Sequence, residues 1–291
     1  MTVNAASGVQ AQSQSQVQIQ ARTGAWCEAR VTDATGRSRD DWLAEEVPVA
    51  VALNDTSHAV MMCSPADLED FALGFALTEG LVDTPADIQA IDVTSAAHGI
   101  KLRMSVSPEV EWRLRERRRT LAGRTGCGLC GTDSLDQVYR ILPRLAGRSL
   151  TTAAVLRAHQ AMPPQQALQQ RTGATHAAAW CDAGDGSIRL IREDVGRHNA
   201  LDKLIGALLR QGFERNAGLV CITSRASFEI VQKCAMAGIA TLAAVSAPTA
   251  LAVRIAEDSG VLLMGFVRGQ SLVTYTFPER LQPGAAGAPA G

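Results

Sequence analysis

The chain has 291 residues, with 28 lysines and arginines against 29 aspartates and glutamates, and a formal net charge of −1 at pH 7. Hydrophobic residues make up 46% of it and charged residues 20%, a composition typical of a soluble globular protein, which excludes collagen, a coiled coil and a fully disordered chain. Near neutrality disfavours general binding to nucleic acid or to a membrane surface. Any anionic ligand must therefore be bound by a local cluster of positive charge.

The seven cysteines are spread thinly along the chain. An odd and sparse set disfavours a disulfide framework and favours reduced thiols. The first twenty residues lack the basic start and the apolar core of a signal peptide. No apolar run approaches the roughly 18 residues that span a bilayer. We therefore predict a cytoplasmic protein.

Composition divides the chain into four regions. Residues 1–24 and 279–291 are small and polar, and we expect both to be disordered tails. Residues 25–125 are predicted to form a small N-terminal α+β region. Residues 126–278 are predicted to form an α/β domain that carries the function.

The N-terminal region contains one strand and one helix with clear signals. Alternating apolar residues predict a strand within Glu46–Asn54. Ser64 before Pro65, with Asp67 three residues on, predicts a helix N-cap with a capping-box acid. Gly80 is expected to end that helix.

An arginine-rich stretch, Val110–Arg124, comes directly before a glycine-rich cysteine motif, Gly126–Gly131. The arginines belong either to a solvated helix face or loop, or to a positive field that acts on the cysteines. Helical spacing resumes over Leu135–Leu142. The cysteines are therefore predicted to lie in an open loop before a helix.

Strands alternate with helices in the C-terminal half. The predicted strands are Ile188–Arg192, Leu219–Thr223, Ile239–Val245, Val261–Val267 and Leu272–Phe277, and the predicted helices are Leu201–Gly212, Ser227–Met236 and Thr249–Glu257. Continuous apolar strands alternating with helices are typical of a mostly parallel sheet covered on both faces. We predict a three-layer αβα domain.

Three of these strands end in small, polar or basic residues. The segments are Thr223–Arg225, Ser246–Thr249 and Phe266–Ser271. Ligands bind beyond the carboxyl ends of parallel strands, often against helix N-termini. Hydroxyls, free amides and two guanidinium groups are donors that suit a phosphate or pyrophosphate, although ordinary helix capping also explains such residues.

Cys127 and Cys130 stand close together among glycines. Such a pair serves as half of a zinc site, as a dithiol redox couple or in sulfur handling through a persulfide, or it is idle. A zinc site is less favoured, because zinc needs four ligands and the sequence shows no second pair of ligands beside these two cysteines. His176–Ala178 has alanine where the zinc deaminases carry their glutamate, which excludes hydrolytic deamination. The cysteine pair lies in the middle of the chain, whereas a thioredoxin-like dithiol lies near the beginning of its domain, so redox chemistry is the second choice. Persulfide chemistry needs only one reactive thiolate beside positive charge, which the arginines before the motif could provide.

A second dense cluster, Arg192–Asn199, holds two arginines, two acids, a histidine and an amide ahead of a helix. It is either an interlocked salt-bridge network or a polar wall of a site. Asn199 is expected to cap the following helix, and His198 to take part in proton transfer or hydrogen bonding.

Five motifs, taken in order, resemble the FdhD family of formate dehydrogenase accessory sulfurtransferases. They are Gly126–Gly131, Thr172–Ala178, Glu193–Lys203, Ser224–Glu229 and Ser246–Thr249. The likeness runs from about Glu46 to Phe277. The family often has a glycine within the Ser-Arg motif that this chain lacks at Ser224–Arg225.

The resemblance implies a cytidine-deaminase-like fold, a homodimer and a sulfur relay. A cysteine desulfurase would load sulfur onto the C-x-x-C loop, and the chain would pass it to the bis(guanine dinucleotide) molybdenum cofactor of a formate dehydrogenase, as cargo and not as a permanent cofactor. Cys127 matches the persulfide-bearing cysteine and Cys130 its partner.

The segment Phe266–Ser271 matches the family's cofactor-contact segment. The residues predicted to bind the cofactor are Phe266, Val267, Arg268, Gly269, Gln270, Ser271, Ser224, Arg225, Thr249 and His198. No metal ligands, no nucleic-acid partner and no membrane are predicted. The rival hypotheses for the same cysteine pair are a non-enzymatic cofactor chaperone and a zinc-binding interaction module.

Overall fold

The computed structural model describes residues 24–122 and 142–283. Cys127 and Cys130 lie outside the described residues, as do residues 135–141 of the helix expected after them and both chain ends beyond these limits. The first described strand begins at Trp26.

The N-terminal part of the chain forms six strands and two helices. They are β1 Trp26–Thr32, β2 Ser38–Ala44, β3 Val47–Leu53, β4 Thr56–Cys63, α1 Leu68–Thr78, β5 Ile88–Ala96, β6 Gly99–Val106 and α2 Pro108–Ala122. The strand predicted within Glu46–Asn54 is confirmed as β3, whose alternate residues are buried. The arginine-rich stretch belongs to α2 as far as Ala122.

In the second described range, residues 142–283, the chain alternates strands and helices. The elements are β7 Leu150–Thr151, α3 Thr152–Ala161, α4 Ala167–Thr172, β8 His176–Asp182, β9 Ile188–Asp194, α5 Arg197–Arg210, β10 Gly218–Ile222, α6 Phe228–Met236, β11 Thr241–Ala244, α7 Ala250–Ser259, β12 Leu262–Arg268, β13 Ser271–Thr274 and β14 Leu281–Gln282. Every strand and helix predicted between residues 188 and 277 is present, with bounds shifted by a few residues.

Six strands build the central sheet in the order β13-β12-β11-β10-β8-β9. Only β10, β11 and β12 run parallel, whereas β8, β9 and β13 are antiparallel to their neighbours. The prediction of a mostly parallel sheet is therefore wrong at its edges. The physical reason is that β8–β9 and β12–β13 are joined by short turns, and a short turn can connect only antiparallel strands.

The central sheet is covered on both faces. Helices α5, α6 and α7 pack on one face, around Leu204, Ile230 and Ala256. Helix α3 packs on the other face through Val155 and Ala158. The mixed α/β, three-layer architecture predicted from the sequence is confirmed at this level.

A separate four-stranded sheet, in the order β4-β3-β6-β5, carries the N-terminal core. Its buried face packs against α1 through Val49, Val51, Phe71 and Leu102. Helix α1 in turn crosses α5 of the central part. The helices approach so closely that a Cβ at Gly74 would overlap the carbonyl of Asp202.

The same contact has a mirror on the other helix, where a Cβ at Gly206 would overlap the carbonyl of Asp70. Ion pairs made by the buried Asp70 flank it. Asp70 accepts hydrogen bonds from Arg192 and Arg210, both at 2.8 Å. The two helices are thus held by backbone contact in the middle and by charge at the sides.

The start of α1 differs from the prediction. Ser64 is not its N-cap: the helix begins at Leu68, and Asp67 precedes it with a left-handed backbone and no side-chain cap. Ser64 is instead fully buried and bonded to Asp194, a residue 130 positions away. The tertiary contact has replaced the local capping box, and Gly80, with φ of 62°, follows the end of the helix as predicted.

Residues 279–282, predicted to belong to a disordered C-terminal tail, are part of the fold. Pro278–Arg280 forms one 3-10 turn, and Leu281–Gln282 pairs in parallel with Leu150–Thr151. Arg280 anchors this segment through hydrogen bonds of 2.9 Å to the carbonyls of Gly260 and Ala240. Composition alone does not reveal such long-range anchoring.

Candidate functional site

The carboxyl ends of β10, β11 and β12 meet at one edge of the central sheet, which we call the strand-end edge. Three loops are linked there by backbone contacts. The amide of Thr249 donates to the carbonyl of Ala226 at 3.1 Å, and the amide of Phe266 donates to that of Ser246 at 3.4 Å. The sequence prediction that these strand ends come together is confirmed.

Two further strands, β8 and β9, reach the same edge, and of these β8 runs opposite to β10. Strand β8 begins there at His176, and its partner β9 ends there at Asp194, which lies opposite His176 in the register. Helix α5 then starts with Arg197 and His198. The edge therefore also contains His176 and Arg197, which the list of candidate residues missed. The signal that could have found them is the short β8–β9 hairpin, which brings its open end to this edge.

The segment Phe266–Ser271 turns sharply at the edge. Phe266 has a left-handed backbone, with φ of 52°, and its side chain is 38% exposed. The guanidinium of Arg268 lies 5.6 Å from the centre of its ring. A non-glycine residue in this conformation is strained, and such strain is common at ligand-binding sites.

The rest of the turn is fixed by hydrogen bonds. Gly269, with φ of 53°, makes the turn, and its carbonyl accepts from the side chain of Gln160 at 2.8 Å. Ser271 Oγ donates to the carbonyl of Arg268 at 3.2 Å. Gln270 is exposed between them.

The side chain of Val267, which lies within the predicted cofactor-contact segment, is directed into the core. It is 2% exposed and belongs to the apolar core beneath α3. Along a strand alternate side chains point to opposite faces, so the exposure of Phe266 and Arg268 requires Val267 to point inward.

Capping accounts for some of the predicted polar contacts. Thr249 Oγ accepts from the amide of Ala252 at 3.2 Å and so caps α7. Ser224 Oγ donates to the carbonyl of Arg225 at 3.1 Å. The exposed side chain of Arg225 is left as the group that extends beyond the edge.

His198 lies between the N-termini of α5 and α6. Its Nε2 is 3.0 Å from Glu229 Oε2 and 3.5 Å from Ser227 Oγ. Burial lowers the pKa of His198, Glu229 opposes that shift, and Arg197 adds to it. A neutral His198 that donates from Nε2 to Glu229 keeps a lone pair on Nδ1.

Arg197 and His176 also belong to the strand-end edge. Burial, followed by the charge of Arg197, lowers the pKa of His176. Within the described part of the chain, Nε of Arg197 is buried and has no hydrogen-bond partner. A buried unpaired donor is costly, and the Nε–H of Arg197 is available to an acceptor that binds at this edge.

The cluster Arg192–Asn199 combines both alternatives left open by the sequence. Asp194 and Lys203 form an ion pair of 2.6 Å, and both side chains are 0% exposed. Ser64 joins this pair: its amide donates to Asp194 at 3.0 Å and its carbonyl accepts from Lys203 at 3.0 Å. The acidic part of the motif is thus an interlocked network, while Arg197 and His198 lie at the edge.

Asn199 is not the cap of α5 that the sequence predicts. Gly196 occupies the N-cap position. The Asn199 amide donates instead to the carbonyl of Met62 at 2.7 Å and to Asp194 Oδ1 at 3.0 Å. This side chain therefore ties β4 to the network that supports the strand-end edge.

The five cysteines outside the C-x-x-C pair lie in or next to the packed interior. Cys63, Cys181, Cys221 and Cys234 are buried, and Cys27 is half-buried. Burial raises the pKa of Cys221, and it raises that of Cys234 to about 12. Such thiols stay protonated near neutral pH and are poor nucleophiles.

The described residues contain neither a candidate metal cluster nor a candidate membrane-spanning helix. Residues 24–122 and 142–283 contain no group of three or more His, Cys, Asp or Glu side chains placed to bind a metal ion. Within the same ranges no helix has the length and apolar character needed to cross a membrane.

Known proteins similar to this chain agree with one another. A protein from Bordetella petrii named sulfur carrier protein FdhD is 54% identical over 246 residues, which cover 84% of this chain and 88% of that protein. A protein of the same name from Cupriavidus necator is 55% identical over 243 residues, which cover 83% of this chain and 84% of that protein.

A crystal structure of a formate dehydrogenase accessory protein from Desulfotalea psychrophila has a similar fold. Its TM-score is 0.69 at 24% sequence identity, and the match covers 91% of this chain and 99% of that one. The sequence model of the FdhD/NarQ family matches residues 44–282 of this chain. The resemblance read from the five motifs is thereby confirmed, and the chain belongs to the FdhD/NarQ family.

Proposed function

We propose that this chain is a sulfur carrier that takes sulfur from a cysteine desulfurase on Cys127 and delivers it to the bis(guanine dinucleotide) molybdenum cofactor of a formate dehydrogenase. The observation that carries the proposal is the family match over residues 44–282, which includes the C-x-x-C motif. Relatives more than half identical to the chain are named sulfur carrier proteins.

Loading is a thiolate exchange. The Cys127 thiolate attacks the outer sulfur of the desulfurase persulfide, and the desulfurase cysteine leaves as a thiolate. The sulfur–sulfur bond of the donor breaks and one forms on Cys127, so no external oxidant or reductant is needed. Burial raises the pKa of Cys63, Cys221 and Cys234, so these thiols are unsuitable as competing acceptors.

Delivery requires two electrons, because the outer persulfide sulfur becomes sulfide. Cys130 would supply them by attacking the inner sulfur of the Cys127 persulfide, which forms a Cys127–Cys130 disulfide and releases sulfide to the metal. A dithiol reductant of the cell then restores both thiols. Cys130 is therefore expected to affect turnover more than loading.

The strand-end edge supports the cargo half of the proposal. The two guanine dinucleotide ends carry diphosphates, which need several oriented donors. The edge offers the unpaired Nε of Arg197, the exposed guanidinium groups of Arg225 and Arg268, and the N-termini of α5, α6 and α7. Aligned helix N-termini favour bound anions.

The finer features implied by the family are part of the same proposal. A homodimer in the cytoplasm, with a cytidine-deaminase-like arrangement of the central sheet, would serve such a relay. The three-layer packing and the parallel core of β10, β11 and β12 support that arrangement.

Calorimetric titration with guanosine diphosphate, a fragment of the cargo, tests the edge. Arg197→Ala and Arg268→Ala should weaken binding by about tenfold or more, since each removes a charge-assisted hydrogen bond. Arg189→Ala is the matched control, because Arg189, like Arg268, is an exposed arginine, and its ion pair is with Asp182. Equal affinity of all variants would contradict the assignment of the edge.

A further inference from the structure

Helix α2 exposes the most accessible large hydrophobic side chain among the described residues. Trp112 is 66% exposed, more than Val60 at 62% or Met62 at 46%. A tryptophan usually buries most of its large apolar surface, so one left open to solvent is informative in a way that an exposed small residue is not.

The orientation of α2 is fixed by its other side. Val110 is buried, and Leu114 packs against the N-terminal core. Trp112, two residues from each, lies on the opposite face of the helix. Together with Pro108, Glu109 and Arg113 it lines an open depression of about 550 Å³.

The acidic groups near this face are engaged within the chain. Glu111 accepts a hydrogen bond from Asn54 Nδ2 at 2.7 Å and also pairs with Arg115. Arg113 pairs with Asp83 at 2.6 Å. The arginine side chains of these pairs are 45% and 63% exposed, so the pairs are weak and can be exchanged for the carboxylates of a partner.

The sequence adds charge of one sign toward the end of α2. Arg117, Arg118 and Arg119 follow Arg115, so that Arg113–Arg119 contains five arginines and one glutamate. Tryptophan and arginine are the residues most enriched among those that dominate binding at protein interfaces. The combination fits an apolar contact surrounded by carboxylates.

The position of α2 along the chain ties this face to the cysteines. Helix α2 ends at Ala122, five residues before Cys127. Five residues span at most about 18 Å. A protein bound to α2 is therefore close to the thiol that must receive sulfur.

We propose that Trp112, Arg113 and Arg115 form the docking surface for the protein that donates sulfur, through an acidic segment of that protein with an apolar side chain. The inference rests on the proposed function and assigns it a partner surface. A nucleic acid or an anionic membrane fits less well, because Glu109 and Glu111 lie on the same helix and the chain has a net charge of −1.

The experiment compares two routes of sulfur loading onto Cys127, measured by mass spectrometry over time. One route uses a cysteine desulfurase with cysteine, and the other uses glutathione persulfide, a small donor that needs no docking. Trp112→Ala and Arg115→Glu should each slow loading from the desulfurase by about tenfold or more. Neither should change loading from glutathione persulfide.

Matched controls are available on other surfaces. Val60→Ala truncates a side chain of similar exposure, and Arg189→Glu reverses an arginine that is also paired with one carboxylate. Both should load at the wild-type rate by both routes. Added salt should slow loading from the desulfurase in the wild type and have less effect in Arg115→Glu, because the contact is electrostatic.

Three results would overturn the docking surface. The first is loading of Trp112→Ala and Arg115→Glu by the desulfurase at the wild-type rate. The second is an equal loss by both routes, which would mean that α2 acts within the chain on the cysteine loop. The third is relief of the defect by removal of RNA or lipid, which would assign the face to those ligands. Failure of the wild type to load by either route would instead refute the proposed function.

Discussion

Replacement of Lys203 by methionine should cost this protein a large part of its stability. Lys203 Nζ lies 2.6 Å from Asp194 Oδ2, and neither side chain is exposed. Methionine has a similar length but no charge, so Asp194 would remain buried without a counter-ion. Breaking one side of a buried ion pair costs about 3–5 kcal/mol.

The remaining contacts of Asp194 do not remove that cost. Its carboxylate would still accept from the amides of Ser64 and Gly196 and from the side chain of Asn199. Hydrogen bonds satisfy the oxygens, whereas the charge still lacks a counter-charge. At roughly 2–4 °C per kcal/mol the unfolding midpoint should fall by roughly 6–20 °C.

Urea unfolding followed by circular dichroism at pH 7 measures the change. Lys101→Met is the control, because Lys101 is exposed on β6, and it should stay within about 0.5 kcal/mol of the wild type. A loss below about 1 kcal/mol would refute the role given to this pair.

Three further changes test other parts of the structure. Burial lowers the pKa of His159 to about 4; because this is below the unfolded value of about 6.5, stability is lost as the pH falls from about 6.5 to 4, by about 3 kcal/mol. His159→Gln keeps a donor for the carbonyl of Ala243 and should remove that loss, which urea unfolding at several pH values would detect; an unchanged pH dependence would contradict it. Gly206→Ala should destabilise by about 1–3 kcal/mol or more, since its Cβ would overlap the backbone of α1, whereas Gly184→Ala, at an exposed turn, should not. Arg197→Ala should weaken guanosine diphosphate binding by about tenfold without lowering the unfolding midpoint, and equal affinity would exclude Arg197 from the site.

Local signals explain the parts of the fold that the sequence predicted well. Helix α7 begins after Thr249, whose hydroxyl caps it, and ends at Gly260, which has a left-handed backbone. Both residues act within one turn of the helix. The strand-end edge was predictable because alternation of strands and helices implies parallel strands with adjacent carboxyl ends. Arg225 and Arg268 were found in this way.

Non-local contacts explain what the sequence analysis missed. Ser64 precedes a proline and looks like a helix cap, yet it is bonded to Asp194, 130 residues away. His176 and Arg197 come to the edge only because β8 pairs antiparallel with β10 and β9 pairs antiparallel with β8. No pattern within one segment records which strand it will join.

The side chain of Val267 illustrates the limit of transferring a segment as a whole. The family likeness assigns Phe266–Ser271 to cofactor contact, but strand alternation directs Val267 into the core beneath α3. Its neighbours Phe266 and Arg268 are exposed. We expect Val267 to affect stability and not cargo affinity.

The most direct test of the central claim is mass spectrometry of the chain after incubation with a cysteine desulfurase and cysteine. The peptide that contains Cys127 should gain the mass of one sulfur atom, and a thiol reductant should remove it. Cys127→Ala should not load and should not support formate dehydrogenase activity. Sulfur found elsewhere with Cys127 unmodified, or full activation by Cys127→Ala, would contradict the account.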